Sequence, residues 1–132
     1  MKGFKSNIEK ETLGNTNFRR VLYTGRYSQL VLMSLRPGEE IGEEVHKTVD
    51  QFFRFEKGEG IVAIDGVKQK VGDGDAVVVP SGARHNVINA SKSADLKLYT
   101  IYSPPEHQDG TVRKTKAEAI AKEEHFDGKT TE

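Results

Sequence analysis

The sequence has no cysteine, so neither a disulfide framework nor a thiolate site is open to it, and any metal must be held by imidazole, carboxylate or amide groups. It has no excess of one charge: Lys plus Arg and Asp plus Glu each number 20. No basic stripe forms, which excludes an electrostatic footprint for nucleic acid. The N-terminal M-K-G-F-K-S-N-I-E-K has no sustained apolar run, and nothing later approaches the roughly 18 apolar residues of a membrane span. The expectation is a soluble, cytoplasmic protein with no membrane partner. No G-x-S-x-G, phosphate-cradling glycine loop or Ser/His/Asp arrangement supports a hydrolase or kinase. No Gly- or Ser-rich linker divides the 132 residues, so one domain is expected.

What the chain does have is a succession of short aliphatic segments punctuated by turn residues. Residues 18–23 and 28–35 flank T-G-R-Y, and Arg36-Pro37-Gly38 ends the second run. Residues 43–46 and 50–57 follow, then 61–64 and 67–71 around Asp65-Gly66, a dipeptide that tolerates the positive φ values of a tight hairpin turn. Residues 76–79, 85–90 and 96–102 complete the series. Eight or nine short strands with no helix-length segment between them predict an all-β sandwich or barrel. Residues 1–17 are polar with scattered apolar positions and read as an N-terminal arm. The barrel spans 18–103, and 104–132 form a polar tail in which Thr115-Lys116-Ala117-Glu118 is a capping-box signature for a short helix near 115–125.

Strand parity groups the chemistry. Glu44 and His46 are two apart and share a face; Gln51, Phe53 and Phe55 share one, as do His85, Val87 and Asn89. With the polar members inward, Phe53, Phe55 and Val87 are expected to line the same cavity, an apolar floor under a polar cluster. Taken singly, each residue has an ordinary explanation: Glu44 stands among Glu39, Glu40 and Glu43 as a solvated acid, and a lone histidine is usually a surface or hydrogen-bonded core residue. Arg84 should point away from His85, and His125 into solvent. His107, after the last strand, could fold over an open end of the barrel. Parity alone leaves Arg54, Lys97, Tyr99 and Tyr102 undecided.

Spacing changes those odds. Gly38, five residues, Glu44-x-His46, four residues, Gln51, six residues and Gly58 form one pattern; Gly74, Pro80, Gly82, His85 and Asn89 form a second. Together they resemble the two motifs of the cupin superfamily, and the chain is similar to its small single-domain bacterial members. The resemblance implies a jelly-roll (double-stranded β-helix) barrel, one divalent transition metal (Fe, Mn or Zn, with Ni and Cu as further options) and a homodimer. Carried over, the ligand positions are Glu44, His46, Gln51 and His85. Two of them depart from the family pattern: Glu44 replaces a histidine and Gln51 replaces a glutamate. The ligand set keeps its charge of −1, because the carboxylate has moved, and two nitrogens with two oxygens make a harder donor set.

The resemblance implies a metal-dependent enzyme acting on a small, oxygen-rich molecule, by dioxygenase or oxidase chemistry or by sugar-type isomerisation. The alternative is a non-catalytic cupin that holds a small ligand as a sensor or carrier. No residue is assigned as general base.

Overall fold

The computed structural model describes all 132 residues. Ten strands form two antiparallel sheets facing each other. The larger has the order β10 (Val112–Arg113), β1 (Arg19–Thr24), β2 (Gln29–Leu35), β9 (Leu96–Ser103), β4 (Asp50–Lys57), β7 (Ala76–Val79). The smaller has the order β3 (Glu44–Val45), β8 (Arg84–Asn89), β5 (Gly60–Ile64), β6 (Val67–Val71). Asp65 and Gly66 both take positive φ, as the hairpin between β5 and β6 requires.

Alternation fixes the inner faces. On β4, Gln51, Phe53 and Phe55 are buried; on β9, Leu96, Leu98, Thr100 and Tyr102; on β8, His85, Val87 and Asn89. The pairings Gln51 with Tyr102, Phe53 with Thr100 and Phe55 with Leu98 stack these side chains in layers. The apolar layers make the core, and the polar layer of Gln51, His85 and Tyr102 lies at one end of the barrel. Asn89 serves structure: its amide nitrogen donates to the carbonyls of Leu35, Arg36 and Ala94, and its Oδ1 accepts from the Ser91 N–H. It ties β8 to two loops and is no candidate ligand.

The N-terminal arm contains an unforeseen helix, α1 (Ile8–Gly14), capped by Asn7, whose side chain accepts from the Lys10 N–H. It packs on the outer face of β2, β4 and β9. This explains why Leu32, which points away from the core cluster, is fully buried. The helix escapes sequence patterning because its most buried residue is Thr12, whose hydroxyl donates to the Ile8 carbonyl instead of needing an external partner. The capped α2 (Lys116–Ala121) forms as expected, with the Thr115 side chain accepting from the Glu118 N–H. The tail around it does more than trail off, since β10 pairs with β1 and carries the chain back across the barrel's end.

Candidate metal centre

Glu44 and His85 are direct cross-strand partners of β3 and β8, and His46 follows Glu44 on the same side. One ligand atom from each of Glu44, His46 and His85 lies within 4.8 Å of the other two. Gln51 joins them from the opposite sheet, with its Oε1 3.2 Å from Nε2 of His85. The four sequence-predicted ligand positions therefore converge.

The donor set suits a cation. Nδ1 of His85 lies 3.1 Å from the Ala83 carbonyl; the tautomer with its proton on Nδ1 donates there and leaves the Nε2 lone pair for a cation. Nε2 lies 3.2 Å from the Gln51 carbonyl oxygen, and the Gln51 amide nitrogen donates to Thr100 Oγ1 at 3.0 Å. In that tautomer two acceptors meet, and a cation held by both would satisfy them. Nε2 of His46 lies 2.8 Å from Oε2 of Glu44 yet is buried without an aligned hydrogen bond. The pair is close without pointing at each other, as co-ligands of one ion are. Burial alone would raise the Glu44 carboxyl, but neighbouring His46, Arg19 and His85 outweigh it and hold it below its ordinary range. The Glu44 carboxylate, against the opposing effect of burial, raises the His46 imidazole, with Glu106 adding to it.

The expected pocket lining needs correction. Phe53, Phe55 and Val87 are 1% exposed or less and belong to the closed core; they do not line the cavity. Phe53 sits beneath His85, with ring centroids 6.3 Å apart, so it supports a ligand without facing the opening. The cavity itself, about 370 Å³, is bounded by Phe18, Arg19, Glu44, His46, Glu106 and His107 on the barrel side and by α2 with the residues after it on the other. Parity gave Phe53 and Phe55 the correct face of the sheet; the cavity occupies only one end of that face.

The tail supplies one wall. Gln29, 1% exposed, accepts from the N–H groups of Glu106 and His107 and donates to the His107 carbonyl, which places both side chains at the mouth. His107 does fold over the open end: Nε2 meets the Tyr102 hydroxyl at 3.2 Å and Nδ1 lies 3.0 Å from Glu124. Tyr102 in turn packs edge-on to His46, 5.9 Å between centroids. Arg84 points outward toward Glu43, and His125 is 78% exposed, as expected. Sequence reasoning missed Arg19, Glu106 and Glu124. Only Arg19 carried a signal, as a charge two residues from Val21 on the inward face of β1.

These clamp residues give the docked tail a pH dependence. Burial pushes the His107 imidazole below its ordinary 6.5, with Arg19 assisting and Glu124 opposing. Burial would raise Glu124, but His107, Arg19 and Arg113 together hold it below 4.5. Both groups bind fewer protons docked than free, so docking is fully stable above pH 6.5 and weakens as pH falls, first through His107 and then, below 4.5, through Glu124. Amide exchange in residues 106–126, corrected for intrinsic rates, should accelerate between pH 7.5 and pH 5 while β4 and β9 stay protected. Unchanged protection of 106–126 would contradict this account.

Comparison with known proteins agrees with this architecture. Residues 31–102 match the family described as "Cupin domain". The uncharacterized protein YrkC of Bacillus subtilis is 49% identical over 129 residues, covering 93% of this chain and 69% of that one. The crystal structure of BH2720 from Bacillus halodurans is 45% identical with a TM-score of 0.89, covering 92% of this chain and 96% of that one. An RmlC-like cupin from Shewanella frigidimarina, at 22% identity and a TM-score of 0.64, covering 79% and 92% of the two chains, shares the fold.

Proposed function

The chain belongs to the Cupin domain family, and on that premise we propose that it is a metal-dependent enzyme acting on a small, oxygen-rich molecule that chelates the ion. The reaction is either an oxidation of the dioxygenase or oxidase type or an isomerisation. One observation carries this reading: the donors of Glu44, His46 and His85 converge within 4.8 Å, with Glu44 and His46 bordering a cavity and His85 buried next to them. Gln51 is the fourth and weakest donor. A bound divalent ion, Fe, Mn or Zn before Ni or Cu, would supply a Lewis acid and a template for the substrate's oxygens.

The remaining work falls to the chain's own groups. Burial pushes the Tyr102 phenol far above its ordinary value, so it stays protonated and serves as a hydrogen-bond donor. Glu106, with Oε1 3.8 Å from Nδ1 of His46, is the carboxylate at the mouth that is free of ligand duty, and it takes the role of proton acceptor.

The test is reconstitution of metal-free protein with Fe(II), Mn(II), Zn(II) and Ni(II) in turn, followed by elemental analysis. About one ion per chain is expected for at least one metal, and fewer than about 0.2 for all four would overturn the reading.

A further inference from the structure

The metal site leaves one cation unexplained. Arg19 is 8% exposed, on the inward face of β1, and borders the same cavity as Glu44 and His46. Its Nε is buried without a hydrogen-bond partner. Its ion pair is loose, with Nη1 3.6 Å from Oε1 of Glu124. Glu124 is shared: its Oε2 accepts from Nη2 of Arg113 at 3.2 Å, while Oε1, 3.0 Å from Nδ1 of His107, makes no aligned hydrogen bond. A guanidinium presents a planar fork of donors matched to a carboxylate, and burying one without such an acceptor is costly. Arg19 has the desolvation and, beyond the loose pair with Glu124, no hydrogen-bonded acceptor.

The charges around the mouth give the sign and size of what is missing. With a divalent ion on Glu44, His46 and His85, the ion and Arg19 balance Glu44, Glu106 and Glu124 on the cavity lining, and Arg113, bonded to Glu124 from outside that lining, adds one positive charge. One positive charge is left over, while Lys116 and Glu123 at the rim offset each other. Phe18, Ile41 and Ala119 add apolar wall, and about 370 Å³ leaves room for a small organic acid.

We propose that Arg19 anchors a single substrate carboxylate, so that the site takes a small monoanionic acid carrying a second oxygen for the metal, of the 2-oxo or 2-hydroxy acid class. The carboxylate pairs with the guanidinium at the β1 side of the cavity, and Glu124 keeps its contact with His107 and its bond to Arg113. The class of acid rests on the metal reading above; the anchoring role of Arg19 does not.

Pyruvate and methyl pyruvate, which differ in the charged carboxylate, are the probes. In calorimetric titrations of Mn(II)-loaded protein, pyruvate should bind at least about tenfold more tightly to the wild type than to Arg19→Met, the factor expected for a charge-assisted pair. Methyl pyruvate should bind weakly and alike to both, and the manganese content of each sample should be equal. Arg19→Lys keeps the charge without the fork and guards against misfolding of the Met variant; it should recover only part of the affinity. In metal-free protein, the Arg19 Nε–H resonance should shift with pyruvate and not with the ester. If the protein takes up no metal but this resonance moves, the metal reading fails and the Arg19 assignment stands. The assignment is overturned if both variants bind pyruvate within twofold of wild type at equal manganese content, or if saturating pyruvate leaves the resonance in place.

Discussion

Replacing His85 with alanine is expected to weaken metal binding by more than about 100-fold, since even loss of an outer-shell partner costs about 10- to 100-fold. His46→Ala should fall in the same range, whereas Gln51→Ala should cost less than about tenfold, because a neutral amide oxygen donates less than an imidazole nitrogen or a carboxylate. The ranking follows from how each group is held. The Ala83 carbonyl stands 3.1 Å from Nδ1 of His85, leaving Nε2 toward the other candidate ligands, and Phe53 supports the ring from below. The Gln51 amide nitrogen is held by Thr100, and its oxygen meets His85. Competition against a chromophoric chelator would measure all three affinities, with melting curves confirming that each variant is folded. Small and equal effects at the three positions would place the ion elsewhere.

Gly58→Ala should be the most damaging single-methyl change among the motif glycines, costing about 2 to 5 kcal/mol from backbone strain and overpacking together. Gly58 has φ +117, and a Cβ there would stand 2.8 Å from the Asp95 carbonyl oxygen and 3.1 Å from Cα of Leu96. Both neighbours are backbone at the start of a central strand, so neither can move aside alone. Gly74, at φ +86, has nothing within 4 Å of the same position, and Gly74→Ala should cost only the conformational term of about 1 to 2 kcal/mol. Urea unfolding of the two variants separates the contributions. Equal destabilisation would show that the approach of the Asp95–Leu96 backbone is not what requires glycine at position 58.

The β-barrel was legible because its signals are local. Residues 50–57, 67–71 and 76–79 are strands with the bounds read from apolar runs and turn residues, and the motif spacing brought Glu44, His46, Gln51 and His85 to one place. Parity has a limit that Phe53, Phe55 and Val87 expose: it tells which face of a sheet a side chain takes, not how deep along the barrel it lies. Helix α1 was unreadable because it buries a threonine in place of an apolar stripe. The wall built by Glu106, His107 and Glu124 was unreadable for another reason. Its bonds to Gln29 and Arg19 join residues far apart in sequence, and no periodicity records such a meeting.

The cavity has two owners with different obligations. Its floor and its candidate metal ligands belong to strands whose inner faces also form the core, so substitutions there act on chemistry and folding together. The opposite wall, α2 and the residues around Glu124, is a strap tied down by a few polar bonds and one two-residue strand. Changes on the cavity side of that strap can reshape what fits while leaving the layers beneath it intact. On the proposed reading, specificity can be varied on the strap without disturbing the candidate ligands, so libraries aimed at new specificity belong at positions 116–125.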